Sequence, residues 1–208
     1  MKILFQGNSI TDAQRSRDAD FLSGSGYPTI AGGAVVAECP SEISFVNRAV
    51  SGNRVVDLYA RWRIDAINLM PDVISILIGI NDVWHELGGR KNGVEADRFE
   101  KVYAELLAYT KNMLPDVKLM LLEPFVLRAD ATEADWDFFA AEVPLRAEAT
   151  RRVAEQYGAA FVPLQKAFDE AAKKAPASVF LKDGVHPTPA GHTLIAQRWL
   201  EAFRSEIL

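Results

Sequence analysis

"VISILIGIND", residues 73–82, decides the fold. Val73, Ile74, Ser75, Ile76, Leu77 and Ile78 run almost without a polar break, and Val and Ile dominate. So short a run, bounded by Gly79, reads as a strand covered on both faces, the mark of a central strand in a parallel sheet. The run then delivers an amide and a carboxylate, Asn81 and Asp82, where a helix or turn must begin.

Outward from this run, other short apolar stretches lie at 3–6, 43–46, 117–122 and 160–162. Longer amphipathic segments separate them. Phe99, Val102, Tyr103, Leu106, Thr110 and Met113 recur at helical spacing, and Asp97 with Glu100 resembles a capping box with Asp97 in the cap position. Tyr59, Trp62, Ala66 and Met70 form a second stripe. Leu194, Ile195, Trp199, Ala202 and Phe203 form a third, with Thr188 as N-cap and Pro189 in the first turn. This alternation predicts an α/β fold, a three-layer α/β/α arrangement around a parallel sheet of about five strands. No internal repeat, low-complexity tract or linker interrupts residues 1–208, so one domain is expected. Residues 14–28 and 125–144 read as irregular. Both follow strand ends, where binding loops of such sheets lie.

Composition narrows the function. Hydrophobic residues at 49% and charged residues at 25% are those of an ordinary globular chain. A net charge of -5 with no basic stripe argues against a nucleic-acid partner. Cys39 stands alone, so neither a disulfide framework nor a thiolate metal site is expected. Lys2 is followed by too short an apolar run for a signal peptide, and no stretch is long enough for a membrane span. A cytoplasmic location and no membrane partner are expected.

In a parallel sheet, three loop positions share the carboxyl edge. Ser9, in "GNSITD", follows the first strand; Gly52, in "SGN", follows the second; Asn81 follows the third. Far along the chain "DGVHP" supplies Asp183 and His186. A serine hydroxyl needs an adjacent base to become a nucleophile. His186 is the candidate base, and Asp183 would hold its tautomer and stabilise the imidazolium. The backbone N–H groups of Ser9 and Gly52 and the amide of Asn81 would form an oxyanion hole.

Blander readings stand beside these. Gly52 also permits positive φ. Asp82 reads as structural. Trp84 has two readings, a core residue or a wall of the acyl pocket. His85 and His192 read as structural or substrate-edge groups, and Trp136, Phe138 and Phe139 as packing. Three histidines without metal-ligand spacing imply no metal. A GxSxG elbow, a GxGxxG turn and a P-loop are all missing from the sequence.

With these four blocks in order from Gly7 to Pro187, the sequence resembles the SGNH hydrolases, the GDSL-like esterase superfamily. "GINDVW" and "DGVHP" are most similar to its acetylxylan-esterase-like branch. The resemblance implies a flavodoxin-like sheet and hydrolysis without metal or cofactor. The expected activity is that of a serine esterase removing short acyl groups, acetyl above all, from carbohydrates such as acetylated xylo-oligosaccharides. The partner is then a small acylated carbohydrate; the oligomeric state stays open, a homo-oligomer included. A lysophospholipase, a thioesterase, a general short-chain esterase and a non-catalytic carbohydrate-binding protein are the rival readings. One departure is Asn8, where the family usually has Asp; it leaves the reaction class in place and puts local hydrogen bonding in question.

Overall fold

The computed structural model describes residues 1–20 and 23–208. Phe21 and Leu22, within the stretch 14–28 expected to be irregular, lie outside the described residues. Five strands, β1 (Lys2–Gly7), β2 (Ser44–Asn47), β3 (Val73–Leu77), β4 (Lys118–Leu122) and β5 (Ala160–Val162), form one parallel sheet in the order β2-β1-β3-β4-β5. That is the flavodoxin-like order. The helices are α1 (Ser9–Asp12), α2 (Tyr27–Glu38), α3 (Val55–Asp65), α4 (Ile80–Trp84), α5 (Ala96–Met113), α6 (Asp130–Glu133), α7 (Trp136–Tyr157), α8 (Gln165–Ala172) and α9 (Pro189–Ala202).

Successive strand residues point to opposite faces, which builds two cores. Ile3, Phe5, Val73, Leu77, Met120 and Leu122 pack with residues of α2, α8 and α9. Leu4, Ile74, Ile76, Leu119 and Leu121 pack with α3, α5 and the second half of α7. Every residue of β3 is buried, as a strand covered on both faces requires. Its polar member, Ser75, accepts a hydrogen bond from Trp199 Nε1 at 2.9 Å, so the buried indole N–H is satisfied. Trp62 solves the same problem on the other face by donating to Thr110 Oγ1 at 2.8 Å.

Several expectations need correction. Residue 97 is not the cap of its helix: α5 starts at Ala96 after Glu95, and Asp97 lies in the first turn, where its charge suits the helix dipole. The stripe through α3 is buried only at Trp62 and Ala66; Tyr59 is exposed within the helix, its hydroxyl on Glu105, and Met70 is exposed beyond the helix end at Asp65, after a short 3-10 turn. The stretch 125–144 is largely helical. It contains α6 and the start of α7, with Pro144 inside the helix. Pro144 removes one helical N–H and leaves the carbonyl of Ala140, an exposed residue a turn earlier, without its usual donor.

Candidate active site

The strand order reverses between β1 and β3, and ligands of open α/β sheets bind outside the carboxyl ends of the strands at such a point. β1 ends at Gly7, with φ of 152°. A Cβ there would lie 2.4 Å from the Leu77 carbonyl and 2.6 Å from Thr11 Oγ1, so only glycine lets the chain leave the sheet this way. Asn8 then caps α1: its Oδ1 accepts from the Ile10 N–H at 3.0 Å. Its Nδ2 is buried without a hydrogen-bond partner among the described residues. Ser9 is the first residue of α1, so its own N–H has no intrahelical acceptor.

The loop after β2 is tied to α1. Asp12 accepts from the Ser51 N–H at 2.9 Å and pairs with Arg17, while Arg15 Nε donates to the Ala49 carbonyl at 2.7 Å. Gly52 adopts φ of 84°. A Cβ there would meet nothing within 4 Å, so the backbone angle, not crowding, calls for glycine.

The loop after β3 is tied to the same segment. Asn81 Nδ2 donates to the Asn53 carbonyl at 3.0 Å. Asp82 Oδ1 accepts from the Val55 N–H at 3.0 Å. Burial pushes the Asp82 carboxyl up to about 7, against the hydrogen bond from Val55 and the nearby Arg146 and Arg54.

The turn before α9 completes the set. Asp183 Oδ1 accepts from the N–H groups of Val185 and His186 at 3.0 and 2.7 Å. Its Oδ2 lies 2.7 Å from His186 Nδ1, and His186 Nε2 lies 2.9 Å from Ser9 Oγ. Burial alone would raise the Asp183 carboxyl, but the bonds from the His186 ring and the two backbone N–H groups bring it down to about 2. An ionised carboxylate only accepts, so Nδ1 carries the proton and Nε2 is left to accept from the Ser9 hydroxyl.

Ser9, His186, Gly52, Asn81 and Trp84 line one cavity of about 450 Å³. Trp84 packs edge-on against Phe139, with centroids 6.0 Å apart, and its ring lies 5.8 Å from that of His186. His85 lines the same cavity, with its pKa lowered by burial first and then by Arg90. Phe139 is buried, and Trp136 and Phe138 pack against the core. A second cavity of about 400 Å³ opens on Ser9 and His186 and is lined by Arg17, Lys182 and His192. Sequence reasoning did not single out Arg17 or Lys182; for Lys182 the only signal was its place beside Asp183. Among the described residues no group of three or more His, Cys, Asp or Glu is arranged to hold a metal, and no helix is long and apolar enough to cross a membrane.

Known proteins share this arrangement of the chain. The model of the GDSL-like lipase/acylhydrolase family matches residues 5–194. An acetylxylan esterase of Geobacillus stearothermophilus is 34% identical over 207 residues, covering 96% of this chain and 92% of that protein. A crystal structure of an acetylxylan esterase from Geobacillus stearothermophilus, 34% identical, superposes with a TM-score of 0.85, covering 97% of this chain and 93% of the other. A GDSL-like lipase structure from Parabacteroides merdae is 38% identical with a TM-score of 0.90, covering 97% of this chain and 94% of the other.

Proposed function

Because the chain belongs to the GDSL-like lipase/acylhydrolase family and is a carboxylic ester hydrolase, we propose that it removes acetyl groups from small carbohydrates such as acetylated xylo-oligosaccharides. The observation that carries this reading is the hydrogen-bonded chain Ser9–His186–Asp183 opening onto the cavity that Gly52 and Asn81 line.

Ser9 Oγ attacks the ester carbonyl while its proton passes to His186 Nε2. Asp183 accepts from Nδ1–H and stabilises the imidazolium that results. Negative charge moves to the carbonyl oxygen, where the N–H groups of Ser9 and Gly52 and Asn81 Nδ2 receive it. Neither backbone N–H has an acceptor among the described residues, so both are free for that task. The C–O bond to the sugar then breaks, and the imidazolium returns its proton to the departing alkoxide. Water, deprotonated by the same imidazole, cleaves the acyl-enzyme to acetate and regenerates Ser9.

The test is acetate release from acetylated xylo-oligosaccharides, read by mass spectrometry, with Ser9→Ala beside the parent protein. Ser9→Ala should lose at least about 10⁴-fold in kcat, and a fluorophosphonate should label the peptide that holds Ser9. Turnover by Ser9→Ala close to the parent rate would defeat the assignment.

A further inference from the structure

The second cavity beside Ser9 differs in chemistry from the first. The oxyanion donors Gly52 and Asn81 line the first cavity, together with Trp84 and Leu87 and with one charge of each sign, Arg90 and Asp135. The ester carbonyl must point there. The second cavity shares Ser9, Ser51 and His186 with the first but lacks Gly52, Asn81 and Trp84. It is the space left for an alcohol whose oxygen must stay within reach of His186.

Several donors line this space beside the Asp12 carboxylate. His192 is only 8% exposed. Its Nδ1 accepts from the Tyr27 N–H at 3.2 Å, which leaves the ring proton on Nε2. Nε2 has no hydrogen-bond partner among the described residues, and His192 is one of the residues that line the cavity. Burial first, then His186, lowers this histidine to about 4, so it is a neutral N–H donor at ordinary pH. Lys182 is exposed at the cavity edge and has no carboxylate within 4 Å among the described residues. Its backbone is held in place by the N–H bond to the His186 carbonyl at 3.0 Å. Arg17 is neutralised by Asp12, which also lines the space. Among the lining residues the lysine therefore leaves a surplus of one positive charge, with the ionised Asp183 held against His186 outside the lining.

A cluster of arginines adjoins the lining residue Arg17. Arg15 lies among Arg17, Arg48 and Arg61, and burial with these neighbours brings it down to about 10 against the pull of Asp12. Arg48 and Arg61 have carboxylate partners in Asp20 and Asp65, whereas Arg15 has none within 4 Å among the described residues. The whole chain is acidic, at -5, so a basic cleft next to the nucleophile runs against its average.

We propose that the cavity formed by Lys182, Arg17 and His192 holds the alcohol half of the ester and selects oligosaccharides that carry a carboxylate, such as a uronic acid, close to the acetylated sugar. This rests on the carbohydrate esterase reading above. One surplus positive charge suits a monoanion, and the His192 N–H suits a sugar or carboxylate oxygen.

The experiment compares two acetylated oligosaccharides of equal length, one neutral and one bearing a single uronic acid, by kcat/KM. At low salt the acidic substrate should be favoured about two- to fivefold, the range for an exposed charge pair. Near 1 M salt, where screening shortens to about 3 Å, the preference should vanish. Lys182→Glu should invert the ratio, and Lys182→Arg should retain it. Equal kcat/KM at low salt, or a preference untouched by Lys182→Glu, overturns the inference. If p-nitrophenyl acetate is hydrolysed but neither oligosaccharide is, the carbohydrate reading itself falls and this inference with it.

Discussion

Asn81 Nδ2 lies 3.0 Å from the carbonyl oxygen of Asn53, one residue beyond Gly52. One of its two N–H groups is therefore engaged in holding the Gly52 loop, and the other has no acceptor among the described residues. A single side chain sets the spacing between two proposed donors. Asp82, the next residue, repeats the tie through the Val55 N–H. The segment after β2 is thus held at two points by the start of α4.

Asn81→Ala should lower kcat by about 10²–10³-fold, the usual loss for one oxyanion donor. KM should change far less, because the bond strengthens mainly as charge develops. Asn81→Asp should be at least as damaging, since its carboxylate would face both the Asn53 carbonyl and the oxyanion. Steady-state kinetics on an acetyl ester, with circular dichroism to confirm folding, decide the matter. A raised KM with kcat intact would make Asn81 a substrate-binding residue instead.

Asp183→Asn should fold and lose about 10⁴-fold in kcat. The amide oxygen can still accept from the Val185 and His186 N–H groups, which preserves the turn. The amide nitrogen would face His186 Nδ1 and force the proton onto Nε2, where it can no longer accept from Ser9. A variant with near-normal kcat would remove Asp183 from the mechanism.

Trp84→Ala should raise kcat/KM for a butyrate ester relative to an acetate ester by about tenfold or more, the range for methylenes in an apolar pocket. The expectation comes from the place of the ring in the cavity beside His186. An unchanged ratio would leave Trp84 only its packing against Phe139.

Two carboxyls should give stability opposite slopes in separate pH windows. Asp183 lies at about 2 in the folded protein against an ordinary 3.8, so its stabilisation is complete above about 4 and is lost as pH falls toward 2. Asp82 lies at about 7, so between roughly 4 and 7 the folded state binds more protons and stability falls as pH rises. Asp82→Asn keeps an oxygen for the Val55 N–H and removes the titration. Its Tm should vary less between pH 5 and pH 7 than that of the parent. An identical slope in the two proteins would assign the pH dependence elsewhere.

The layers and strand positions were legible in the chain because they rest on local periodicity. The Val73–Leu77 strand announced itself by continuous apolar character, and the start of α9 by Thr188, whose hydroxyl accepts from the Gly191 N–H at 3.3 Å. Ser9, Gly52 and Asn81 could be placed on one edge because each follows a strand of a parallel sheet. The helix through Pro144 was not legible, since a proline signals a break wherever packing does not override it. The end of the buried stripe before Met70 was likewise hidden, because spacing alone does not say where a helix stops.

By itself the sequence determined which residue types stand at strand ends and which apolar faces must be covered, since both depend on neighbours a few positions apart. Only the tertiary structure decided what meets across the chain. His192 accepts from Tyr27, 165 residues away in sequence, and Lys182 shares a cavity with Arg17. Asn81 divides its amide between the Asn53 carbonyl and the open cavity. Such relations follow from how loops from different strands pack at one sheet edge, and no local pattern encodes the angle at which they meet.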